Sequence, residues 1–117
     1  MPYVAYADLG TGLLYLKKFE DNEWKKIGKG AVSEGRSLFC DLAISGKVPY
    51  MIYIDNSVGN KIVVSKFIND EWVNVGEKGI SSGISDYCAI ECYNNEPYIA
   101  FRDVTAGEKI KVLKFEY

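Results

Sequence analysis

A seven-residue phrase recurs three times along the chain, as PYVAYAD at Pro2–Asp8, PYMIYID at Pro49–Asp55 and PYIAFRD at Pro97–Asp103. The spacing is about 48 residues, a period that belongs to supersecondary units stacked side by side, as in solenoids and propellers. The phrase is apolar on both faces of an extended strand. Tyr3, Ala5 and Ala7 alternate with Val4 and Tyr6, and Tyr50, Ile52 and Ile54 alternate with Met51 and Tyr53. Such a strand must be covered on two sides, which one small sheet cannot do alone.

Three further extended segments accompany each phrase. Leu13–Phe19 is matched by Lys61–Phe67 and Lys109–Phe115, Glu23–Ile27 by Glu71–Val75, and Ser37–Ile44 by Ser85–Cys92. Ile62, Val64 and Lys66 alternate with Val63, Ser65 and Phe67, and an apolar period of two predicts strand over helix. No window carries an amphipathic helical pattern. Asp21-Asn22, Ser45-Gly46, Asn69-Asp70 and Asn94-Asn95 separate segments with residues that accept tight-turn dihedrals. The segments therefore predict antiparallel meanders.

The string PYxxYxD, a glycine loop, KIxVxKF, an Asn/Asp turn, EWxxVG and SxG resembles the repeat of β-propeller proteins, including tachylectin-like and related short-repeat lectin propellers. The likeness spans essentially the whole chain. It implies an all-β, partial β-propeller of about two and a half repeats in one domain, residues 1–117, with approximate blades 1–30, 31–78 and 79–117. It also implies that Ser37–Ile44 and Ser85–Cys92 lie innermost along a central channel and the Trp segments outermost. The blades then have three, four and three strands, too few to close a ring. The expected remedy is oligomerisation with another copy, most simply a dimer.

Nearly half the residues are apolar, about a quarter are charged, and the formal net charge is -2, which fits a folded domain rather than a disordered one. With 14 Lys and Arg against 16 Asp and Glu and no basic stripe, nucleic acid is not an expected partner. No apolar run is long enough for a helical membrane span, and the first residues lack a secretory leader pattern. Cys40, Cys88 and Cys92 are odd in number and lack CxxC spacing, so they read as small core residues rather than a disulfide framework or zinc site. An odd set of reduced thiols without a leader favours the cytoplasm.

No catalytic signature is present. The chain has no His, which removes the usual base for Ser or Cys nucleophiles, and its glycine loops lack a phosphate-binding pattern, so neither an enzyme nor a cofactor is expected. Asp8, Asp55 and Asp103 end the three phrases and read as turn caps. Arg102 stands where the other copies have Ala7 and Ile54, and Arg36 where the next copy has Ile84; each can hold a carboxylate or sugar hydroxyls, or close a salt bridge. Trp24 and Trp72 read as packing anchors between blades, with a ligand platform as the alternative. Asp41 and Glu91 lie in phase on the presumed channel strands, as a solvated acidic lining or as oxygen ligands for a hard cation. Two functions remain: a non-catalytic recognition module binding glycans, lectin-like, or a structural or protein-interaction module with no small ligand.

Overall fold

The computed structural model describes residues 1–37, 39–105 and 107–115. Leu38 in the expected innermost segment, Ala106 in the third glycine loop, and Glu116 and Tyr117 lie outside them. The described chain is all-β, with ten strands: β1 (Tyr3–Ala7), β2 (Leu14–Glu20), β3 (Glu23–Lys26), β4 (Cys40–Ser45), β5 (Val48–Asp55), β6 (Lys61–Ile68), β7 (Glu71–Asn74), β8 (Ser85–Tyr93), β9 (Glu96–Asp103) and β10 (Lys109–Lys114). They form three antiparallel sheets, ordered β1-β2-β3, β4-β5-β6-β7 and β8-β9-β10, each strand pairing with its sequence neighbour. No described helix is long and apolar enough to cross a membrane.

The hairpins follow from their turn residues. Asp21-Asn22, Asn69-Asp70 and Asn94-Asn95 all have both residues at positive φ, the dihedrals of a tight two-residue hairpin turn, which Asn and Asp accept at little cost. The remaining hairpin turns at Gly46-Lys47 rather than Ser45-Gly46, with Gly46 at φ 61 and Ser45 still paired to Val48.

The second sheet lies between the other two. On one face Tyr50, Ile52, Ile54, Ile62 and Val64 pack against Ile90, Ile99 and Phe101 of the third sheet. On the other, Met51, Tyr53 and Val63 pack against Leu14, Leu16, Ile27 and Val32 of the first sheet and its following loop. Both faces of β5 are thus covered, as its double-sided apolar pattern requires; fully burying each large side chain contributes about 1.5–3 kcal/mol.

The loops that join the sheets use one set of hydrogen bonds twice, 48 residues apart. Val32 N–H donates to Leu14 O and Ile80 N–H to Ile62 O; Ser37 N–H donates to Gly12 O and Ser85 N–H to Asn60 O. Ser33 and Ser81 fix the loops in the same way, each hydroxyl accepting from the N–H of Leu14 or Ile62 and donating to the carbonyl of Gly35 or Gly83. The strand expected over Ser37–Ile44 begins later than the sequence pattern predicts, as β4 at Cys40. Ser37 gives its N–H to Gly12 O and its hydroxyl to Phe39 O, so the ladder with β5 begins only at Cys40.

Candidate functional site

The structure brings Arg36 and the partner of Arg102 to one place, a cavity of about 360 Å³ at the junction of the second and third sheets. Three segments build it. The loop before β4 supplies Arg36 and Phe39, the β5–β6 connection supplies Asn56 and Asn60 beside Ile54, and the entry to β8 supplies Ile84, Ser85 and Asp86. The β5–β6 connection is a single 3-10 turn capped by Asp55, whose Oδ1 accepts from Ser57 N–H, and Asn60 leaves it at φ 59.

Arg36 lies over the Gly12 turn of the first sheet. A Cβ at Gly12 would stand 2.9 Å from its Cγ and Cζ, so a bare glycine is needed there. One guanidinium nitrogen donates to Thr11 O, and among the described residues no carboxylate is within ion-pair distance. Arg102, by contrast, is committed: it grips Asp86 through two parallel hydrogen bonds. That fork holds the Asp86 carboxyl below its ordinary range and raises Arg102 further, so both are charged near neutral pH. Beside the cavity Phe39 and Tyr87 meet at 5.5 Å between ring centroids, and the Arg102 guanidinium lies 5.0 Å from the Tyr87 ring centre. Both rings are exposed, at 43% and 57%.

Ser85 is the residue the sequence pattern passes over. Its hydroxyl is buried and is the sole buried side-chain polar atom among the described residues without a hydrogen-bond partner. At the corresponding place in the second sheet, Ser37 Oγ donates to Phe39 O. A β-bulge between Ser85 and Cys88 shifts the register of β8, and the equivalent bond does not form. The sequence signal was the Ser37/Ser85 match; the bulge that distinguishes them leaves no mark in residue types.

The other candidate residues sit elsewhere. Trp72 packs between the first and second sheets, its Nε1–H donating to Ile27 O and its ring against Gly28. It borders a wider opening of about 630 Å³ with Phe67, Lys29, Asp70 and Glu71. Trp24 rests on Phe19 at 5.2 Å on the far face of the first sheet and is 48% exposed. Asp41 and Glu91 do not converge: Asp41 accepts from Leu42 N–H and, across the junction, from Ile90 N–H, whereas Glu91 is exposed on the third sheet. No group of three or more Cys, Asp or Glu among the described residues is placed to hold a metal ion. The three phrase-ending aspartates cap their turns. Asp8 accepts from Gly10 and Thr11 N–H, Asp55 from Ser57, and buried Asp103 from the hydroxyls of Ser82 and Thr105.

No protein-family model and no curated protein matches this chain.

Proposed function

We propose that this chain is a non-catalytic recognition module of β-propeller type that binds a saccharide in the cavity between its second and third sheets and works as an assembly of identical chains. The cavity itself carries the reading: Arg36, Asn56 and Asn60 converge on it beside the apolar Ile54 and Ile84. The Ser85 hydroxyl is sealed in its wall, where leaving it without a partner costs about 1–3 kcal/mol. The surroundings suit a sugar. Asn56, Asn60 and Arg36 offer donors and acceptors, the exposed Phe39–Tyr87 pair offers apolar faces, and the volume falls near the lower end of the ~300–1,000 Å³ usual for small-molecule sites. In the wider opening at Trp72 the indole is already engaged in packing.

Assembly is favoured by the outer faces of the first and third sheets. Ile110 and Val112 are 68% and 67% exposed on the third, and Val4 and Trp24 are 41% and 48% exposed on the first. Apolar side chains gathered on a sheet face mark an interface, and a second copy offers the complementary face.

A glycan array probed with the purified chain and with Asn56→Ala tests the site. The expected result is saccharide binding that Asn56→Ala weakens at least tenfold while leaving the urea midpoint nearly unchanged, since the exposed amide makes only a 3.4 Å contact with Asn60. Absence of binding to any glycan would leave the structural or protein-interaction role.

A further inference from the structure

We infer that the saccharide recognised in this cavity bears a carboxylate, anchored by Arg36; the inference rests on the saccharide reading proposed above. Two charged groups line the cavity, and they are not in the same condition. Asp86 is charge-balanced by the two-bond fork from Arg102, so it repels an anion less than a free carboxylate would. Arg36 gives one hydrogen bond to Thr11 O and has no carboxylate partner among the described residues, so most of its five N–H donors remain to be used. Of the two charged residues that line the cavity, Arg36 is therefore the one whose charge no counter-ion among the described residues balances. A guanidinium fork matches a planar carboxylate in two-point fashion, which neither Asn56 nor Asn60 can do with comparable strength.

The remaining polar groups fit the sugar part of such a ligand rather than a bare anion. Asn56 and Asn60 face each other at 3.4 Å across a weak side-chain contact that ring hydroxyls would outcompete. Ile54 and Ile84 supply the apolar wall for a ring face. The specificity expected is for an acidic sugar over its neutral counterpart. Nearly all of the preference should come from Arg36 and nearly all of the sugar requirement from the two asparagines.

An amide NMR titration of the full chain with glucuronate, glucuronate methyl ester, glucose and acetate tests this. Glucuronate is expected to bind at least tenfold tighter than the ester or glucose and to shift the amides of Arg36, Asn56, Asn60 and Ser85, with acetate far weaker. In Arg36→Gln the preference over the ester should vanish. Arg36→Met, which keeps the aliphatic stem over Gly12, should behave alike and serves if the Gln variant is destabilised. Equal affinity for glucuronate and glucose would overturn the carboxylate inference while the saccharide site stands. Acetate binding as tightly as glucuronate would overturn it too, as would a preference that survives both variants. If no sugar moves the cavity amides, the saccharide reading falls and this inference with it.

Discussion

Burial pushes the Cys88 thiol up to about 12 from an ordinary 9.0, and it takes the Tyr53 hydroxyl up to about 12 from 10.0. The charges that act on them are acidic, Asp41 beside Cys88 and Asp55 near Tyr53, and these also disfavour the ionised form. Cys88 packs against the core between the second and third sheets with Asp41 and Cys40 nearby, and Tyr53 is buried between the first and second with its hydroxyl on Ser65 Oγ and Val32 O. Both groups are neutral when protonated, and both hold their protons more tightly in the folded chain than in the unfolded one. Stability is therefore unaffected below the ordinary values and falls as pH rises from the unfolded pKa toward the folded one. Each group contributes a slope of up to ~1.4 kcal/mol per pH unit in that window. Urea midpoints at about pH 8 and about pH 11 check the sign. A clear drop at the higher pH is expected, and Cys88→Ser or Tyr53→Phe should reduce its slope; a midpoint insensitive to alkali would contradict the burial argument. The same residues show what a sequence conveys at this scale. Cys88 reads as a core thiol from its place in the strand pattern, and it packs, partly buried, against the core between the second and third sheets. The ion pair of Arg102 with Asp86 is not legible, because 16 residues of chain and a bulge separate two side chains whose meeting depends on backbone register.

Elements were the most legible level, since strands follow from alternation and turns from Asn, Asp and Gly. The Asp21-Asn22 and Asn69-Asp70 hairpins and the Phe–Trp pairs at 5.2 and 5.3 Å all follow from residue types a few positions apart. The start of β4 was not legible, because Ser37 and Phe39 alternate acceptably for a strand but spend hydrogen bonds on the neighbouring sheet and on each other. Nor was the cavity, which three segments form mostly from positions where the copies differ, Ser85 with its match at Ser37 being the exception. What joins one sheet to the next is visible at Gly28. This glycine follows β3 at φ 89, and a Cβ there would lie 3.0 Å from Trp72 Nε1 and 3.3 Å from Phe67. Gly28→Ala would suffer both the left-handed backbone and the crowding of a fixed indole, and it is expected to cost about 1–3 kcal/mol. Gly30, two residues on, has no atom within 4 Å of a Cβ and no positive φ, so Gly30→Ala should change stability by less than about 0.5 kcal/mol. Urea denaturation of the pair measures the difference; equal effects would mean that Trp72 does not clamp the two sheets.

At the scale of the whole molecule, three sheets stacked face to face leave an asymmetry that a fourth layer would remove. The middle sheet is covered twice, and Ile62 in its β6 is completely buried. Ile110, 48 residues later on β10, presents the same kind of side chain to the outside at 68% exposure, with Val112 beside it at 67%. On the opposite end the first sheet shows Val4, Trp24 and a stacked Tyr6–Tyr15 pair at 5.7 Å, crossed by Lys17 and Lys26. The two ends differ in kind, so a contact between them would be head-to-tail and would continue into a ring only if the rotation closes. Ile62→Ala should cost about 2–5 kcal/mol at any protein concentration, because its surroundings lie within one chain. Ile110→Ala distinguishes the alternatives. In an isolated chain it changes stability by less than about 0.5 kcal/mol, whereas in an assembly it lowers the melting temperature more at high concentration than at low, because binding of the folded form is what it weakens. Light scattering on the same samples should give the mass of two chains for the parent and of one for Val112→Asp, whose carboxylate would be buried unpaired in the interface. A parent that scatters as a single chain across the whole concentration range would end the assembly argument and leave the outer sheet faces to another partner.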